Sequence, residues 1–308
     1  MKQIVGVDLP ETDAQVSFMS YTRFRPMIES AAARPALWRV VAGLVTVLLV
    51  TIFWALGAFL ILTAVLGADA PDLFEGNDSP LATVVFLLLI VGLGLGTWLA
   101  ALLWHRRSFG SLVGRGARLL HDFALAAVIT WAVAGVVLLI SLPFSDPLQP
   151  NLPFREWLAW LPFALLAIFL QTGSEEILFR GYLQSQLAAR FRAVWVWMLV
   201  PSLMFGALHF LPGETIGPGL VYVASTTFFG IIAADLTARS GNLGTAWGLH
   251  FANNCVALLI VVYLGAASGL GLYSAGTIEE ALTLSPLLVA DVLVMLFLWF
   301  LLRRIVTS

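Results

Sequence analysis

The sequence predicts an all-α fold: a polytopic membrane bundle of about eight transmembrane helices with both termini in the cytoplasm. Three observations carry this. Of 308 residues, 60% are hydrophobic and only 11% charged, with a mean hydropathy of +0.95. No soluble domain hides that much apolar surface. Apolar runs of about 20 residues, the length that crosses a bilayer, recur along the chain. Basic residues gather in alternate loops.

The expected spans, in order, are 38–67, 81–104, 123–144, 157–180, 193–210, 217–238, 243–264 and 286–302. The fourth to sixth carry Pro162, Pro201 and Pro218 besides polar residues. Lys2, Arg23, Arg25 and Arg34 precede the first span and Arg39 lies at its very start, and Arg106, Arg107, Arg115 and Arg118 follow the second. Arg190 and Arg192 fall in the next turn on that side, Arg239 after the sixth span, and Arg303 and Arg304 after the eighth. The opposite loops hold Asp69, Asp72, Glu75, Asp78, Glu214, Glu279 and Glu280, with Arg155 their one basic residue. The positive-inside rule then sets an even number of spans and a cytoplasmic start and finish. Residues 1–36 read as a partly ordered cytoplasmic tail without the apolar core of a signal peptide. Residues 37–308 read as one transmembrane bundle, lying in the plasma (inner) membrane of a prokaryote.

Several features read as architecture. Gly92 and Gly96 sit mid-span, where their spacing suits close helix packing rather than a nucleotide loop. Asp235 and Arg239, four apart, suit an ion pair at the membrane boundary. His105 and His121 fall in a basic loop beside lipid headgroups, and Trp195 and Trp197 suit the interface. Cys255, the single cysteine, excludes an intrachain disulfide and reads as core. A net charge of −2 argues against nucleic acid as a partner.

The stretch QTGSEEILFRGYL, Gln171 to Leu183, does not fit a passive span. Glu176 and Arg180 are four apart and can pair on one helix face. Glu175 is turned about 100° from Glu176 and needs a partner from another helix. Candidates lie in FGALHF, with His209, and in HFANN, with His250 and Asn254 four apart. Glu175 and His209 each lie about 17 residues from the turn near Phe191–Arg192, so an antiparallel hairpin brings them level. His250 reaches that depth if the hairpin projects some ten Å, about seven residues, into the cytoplasm. Glu175 with His209 suits holding and deprotonating a water, and His250 with Asn254 suits donating to an oxyanion. Glu175, His209 and His250 also suit a divalent ion such as zinc. A metal-dependent and a metal-free glutamate mechanism both remain open at this point. The chain contains no H-E-x-x-H and no G-x-S-x-G elbow. Two rival classes are a non-catalytic immunity or scaffold protein and a proton-coupled transporter, the latter without the paired halves it should show.

E-E-x-x-x-R at Glu175, Glu176 and Arg180, F-x-x-x-H at Phe205 and His209, and H-x-x-x-N at His250 and Asn254 together resemble the CPBP family. This is the group of CAAX proteases and bacteriocin-processing enzymes, also called the Abi or type II CAAX prenyl endopeptidase family. The resemblance covers about 157–264 as a catalytic core and departs at no motif position. It implies an intramembrane endopeptidase acting on a membrane-associated protein or peptide. Glu175 and His209 would activate water, and His250 and Asn254 would stabilise the oxyanion. Glu176 and Arg180 would position the site or engage the substrate tail. The family's name as metalloproteases implies a divalent metal such as zinc, while the reading of some members as metal-free glutamate proteases implies none, and the resemblance leaves both open.

Overall fold

The computed structural model describes residues 21–67, 73, 79–114, 116–144, 146–210, 216–264, 267–277 and 286–307. It is mostly helical. Five helices are long and apolar enough to cross a membrane: α2 (Leu37–Leu66), α3 (Pro80–His105), α4 (Gly116–Phe144), α5 (Phe154–Arg190) and α7 (Ile216–Ser240). They make the chain an integral membrane protein. Around them lie α1 (Arg25–Ala32), α6 (Val194–Ala207), α8 (Gly244–Cys255) and α9 (Pro286–Thr307).

Two expected spans turn out differently. The fifth, 193–210, is the 14-residue α6, about 21 Å long and too short for a bilayer core of about 30 Å. The seventh, 243–264, is helical only to Cys255. One wide π turn follows, Val256–Ile260, and then strand β2 (Val261–Leu264). Val261 and Val262 are β-branched and find a pairing partner, so hydropathy alone misread them as helix. β2 pairs in parallel with β3 (Tyr273–Thr277), which pairs antiparallel with the short β1 (Gln149–Pro150). The expected all-α fold therefore carries a three-stranded cap. The acidic residues Asp69, Asp72, Glu75, Asp78, Glu214, Glu279 and Glu280 lie outside the described residues.

Helix α3 starts at a Ser79 cap, whose side chain accepts from the Ala82 N–H at 3.1 Å, with Pro80 in the first turn. Its glycines let α2 approach. A Cβ at Gly92 would sit 2.9 Å from Thr51 Cα, and one at Gly96 would sit 2.8 Å from Val47 Cα. The glycine spacing is thus packing, as expected. Gly94 does the same for α5, against Ser174. Arg106, left-handed at φ 53°, then ends the helix.

Helix α5 is about 55 Å long, well beyond a bilayer core, so one end must project. Directly after Glu176 it widens to π geometry over Ile177–Gln184. Such bulges re-aim side chains and recur at functional sites. Helix α8 is placed by the turn before it. Gly241 is left-handed at φ 73°, Asn242 Nδ2 donates to Asp122 at 2.8 Å, and Asn242 Oδ1 accepts from the Gly244 N–H at 2.7 Å. Gly244 and Gly248 then bring α8 onto α4, where a Cβ would overlap the carbonyls of Leu119 and Phe123.

Residues 1–20 lie outside the described residues, but the expected tail is packed from Tyr21 onward: Phe24, Met27 and Ala31 are buried. Trp197, expected at the interface, is 1% exposed and packs edge-on against Tyr21 and at a tilt against Phe24, while Trp195 stays exposed. His105 is likewise buried instead of facing headgroups. Its Nε2 meets the Tyr182 hydroxyl at 2.8 Å, and its Nδ1 donates to the Arg34 carbonyl at 3.1 Å. Arg107 is buried too, donating to Ser185 at 2.8 Å and to Ser111. Burial pushes its pKa down to about 10.

The Asp235–Arg239 pair forms at 2.8 Å, but buried, and it recruits more. Tyr21 and Trp299 each donate to the Asp235 carboxylate at 2.8 Å, tying the N-terminal segment, α7 and α9 together. Asp235→Ala would strand the Arg239 cation and two further donors. We expect a stability loss of about 3–5 kcal/mol, read as a lower melting temperature in detergent. An unchanged melting point would mean the hub holds nothing.

Candidate functional site

The site assembles where α5, α6, α7 and α8 meet. Glu175 and Glu176 end the α-helical part of α5, 7% and 0% exposed, and Arg180 one turn on is 1% exposed. Charges this deep require partners. Arg180 donates to Glu176 Oε1 at 2.9 Å and to the Gly230 carbonyl of α7 at 3.4 Å. Its guanidinium lies 4.6 Å from the Phe205 ring centre, with Phe179 and Phe229 at 5.9 and 6.0 Å. Three aromatic faces and one carboxylate thus replace the water a free guanidinium would have.

His250 of α8 inserts between the two carboxylates. Its Nδ1 lies 2.8 Å from Glu176 Oε1, and its Nε2 lies 3.5 Å from Glu175 Oε2. A carboxylate oxygen can only accept, so Nδ1 carries the proton toward Glu176 and Nε2 is the nitrogen facing Glu175. Glu176 is thereby committed to Arg180 and His250 through one oxygen. Glu175 Oε2 accepts no protein hydrogen bond.

His209 is held by a helix end. Helix α6 stops at Ala207, and the His209 N–H bonds to the Gly206 carbonyl. The Phe205 carbonyl is left without its helical donor, and His209 Nδ1 donates to it at 2.8 Å. That bond fixes the tautomer and leaves Nε2 as the basic nitrogen. The link to the rest of the site runs through Phe205, whose ring centre is 4.5 Å from His209 and 5.8 Å from His250. His209 also meets Tyr222 edge-on at 5.9 Å.

Asn254, one turn beyond His250, donates from Nδ2 to Gln171 Oε1 at 3.1 Å. The structure therefore brings Glu175, Glu176, Arg180 and His250 into one cluster. Asn254 stands beside it on the same face of α8, and His209 lies across Phe205. Sequence reasoning passed over Gln171, whose i, i+4 relation to Glu175 was the available signal. It also gave Phe205 no role beyond its motif.

A catalytic zinc takes three protein ligands. Among the described residues, no group of three histidine, cysteine, aspartate or glutamate side chains is placed to hold a metal, since His250 spends Nδ1 on Glu176. Glu175 and His250 offer two donors, and His209 does not join them as a third. The residues do not fit the zinc set of Glu175, His209 and His250 that the sequence allowed.

Residues 156–256 match the family model described as Type II CAAX prenyl endopeptidase Rce1-like. The chain is also 26% identical, over 202 residues, to a protein of Bacillus subtilis (strain 168) titled Uncharacterized protein YyaK. That match covers 62% of this chain and 64% of the relative, less than two thirds of its length. No solved structure matches.

Proposed function

Starting from an Rce1-like type II CAAX prenyl endopeptidase domain over residues 156–256, we propose that the protein is an intramembrane endopeptidase. It hydrolyses a peptide bond of a membrane-associated substrate by a glutamate-based, metal-free mechanism. One observation carries this reading: of two adjacent buried glutamates, each with an Oε2 that accepts no hydrogen bond, Glu176 is held through Oε1 by Arg180 and His250, while Glu175 has no such cation and only faces His250 at 3.5 Å.

Glu175 takes a proton from the attacking water as its oxygen bonds to the scissile carbonyl carbon. His209 lies across the Phe205 ring from His250 and is given no step in this arrangement. Negative charge then develops on the carbonyl oxygen. Asn254 donates an Nδ2–H to it and His250 an Nε2–H, a form in which the ring also keeps its Nδ1–H on Glu176. Glu175 finally returns its proton to the leaving amine as the carbon–nitrogen bond breaks. On this reading the basic residues at the Arg190 end of α5 mark the cytoplasmic side, and the site opens toward it.

The test is cleavage by the purified protein of a panel of membrane-anchored peptides, including prenylated ones ending in cysteine, two aliphatic residues and any fourth, with products read by mass spectrometry. We expect cleavage within at least one peptide. No product from any peptide would favour the non-catalytic scaffold reading. We further expect chelators to leave turnover unchanged and metal analysis to give well under one zinc per chain. Loss of activity restored by zinc would overturn the metal-free mechanism.

A further inference from the structure

Helices α5 and α8 pack antiparallel and face each other with two pairs spaced four apart. Gln171 and Glu175 lie on α5, and His250 and Asn254 on α8. The pairs cross as two rungs: Glu175 opposite His250 at 3.5 Å, and Gln171 opposite Asn254 at 3.1 Å. Gln171 is 4% exposed, so the cost of burying its amide has to be met by its neighbours.

We propose that Gln171 is a positioning residue for the reaction: its Oε1 holds the Asn254 amide so that nitrogen, and not oxygen, faces the substrate carbonyl. A primary amide offers two N–H donors at one end and an acceptor at the other. Gln171 takes one Nδ2–H and leaves the second for the oxyanion. Without that acceptor the Asn254 amide can turn over and present Oδ1, which repels a developing oxyanion. The proposal rests on the reading of Asn254 as an oxyanion donor.

The test measures kcat and KM for Gln171→Met, Asn254→Ala and the double variant, on a peptide the wild type cleaves. Melting temperatures are recorded for each. Methionine keeps the length of glutamine without its acceptor oxygen. Loss of a whole oxyanion donor costs about 10²–10³ in kcat, so a misoriented one should cost about tenfold to a hundredfold. KM should hold within about twofold, because the interaction strengthens only in the transition state. Adding Gln171→Met to Asn254→Ala should cost nothing further. Gln171→Leu, equally unable to accept, should reproduce the kcat loss. A loss that appears in KM, or persists in full on the Asn254→Ala background, overturns the proposal, as does failure of both single variants to fold. Wild-type kcat for Asn254→Ala alone would instead remove the oxyanion reading and this proposal with it.

Discussion

Glu175→Gln should fold like the wild type and lose peptide cleavage by at least about a hundredfold, and up to about ten-thousandfold, the usual contribution of a positioned general base. The amide keeps the size of the carboxylate but cannot take a proton from water. Folding should survive because Glu175 Oε2 accepts no protein hydrogen bond and its His250 neighbour stands off at 3.5 Å. Glu176→Gln is the control on the adjacent position. It weakens the 2.9 Å contact to Arg180 and the 2.8 Å contact to His250, so its effect should appear in thermal stability as well as turnover. Equal turnover by wild type and Glu175→Gln would remove Glu175 from the chemistry.

Arg180→Ala should be the most destabilising single change in the site. It leaves Glu176, fully buried, without the arginine paired to it at 2.9 Å, and it empties the space among Phe179, Phe205 and Phe229. Breaking a buried pair from one side costs about 3–5 kcal/mol. We expect reduced folded yield and a depressed melting temperature in detergent, with activity falling in parallel. Arg180→Lys should recover little, because a point-charge ammonium cannot lie flat between aromatic rings and also reach both Glu176 and the Gly230 carbonyl. Normal yield with full activity for Arg180→Ala would contradict this account of the buried charges.

Much of this arrangement was legible in the sequence, for reasons that can be named. Hydropathy found α2, α3, α4, α5 and α7 because a bilayer core demands about 20 apolar residues from each. The 176/180 spacing gave the ion pair, and the Gly92/Gly96 spacing gave a helix contact, since both follow from helix geometry alone. Hydropathy failed where an apolar run serves something other than a span. Helix α6 is as greasy as its neighbours yet ends at Ala207, where the His209 side chain takes over a carbonyl. The run after Cys255 leaves the helix because β3, distant in sequence, offers it an edge. Burial of His105, Arg107 and Trp197 was hidden for the same reason: their partners Tyr182, Ser185 and Tyr21 come from remote segments. Within the site, Glu175 was expected to meet His209. The structure sets it against His250, and His209 lies behind the Phe205 ring. Depth along a helix can be counted from sequence. Which ring from a neighbouring helix end stands between two side chains cannot.

The most direct measurement on the role given to Glu175 is a single turnover in ¹⁸O-labelled water, with mass spectrometry of both the product and the α5 peptide containing Glu175. Water activated by this carboxylate puts one heavy oxygen into the new C-terminal carboxyl of the product and none into the protein. Heavy oxygen found in Glu175 would mean that the side chain attacks the substrate itself and that water enters only afterwards.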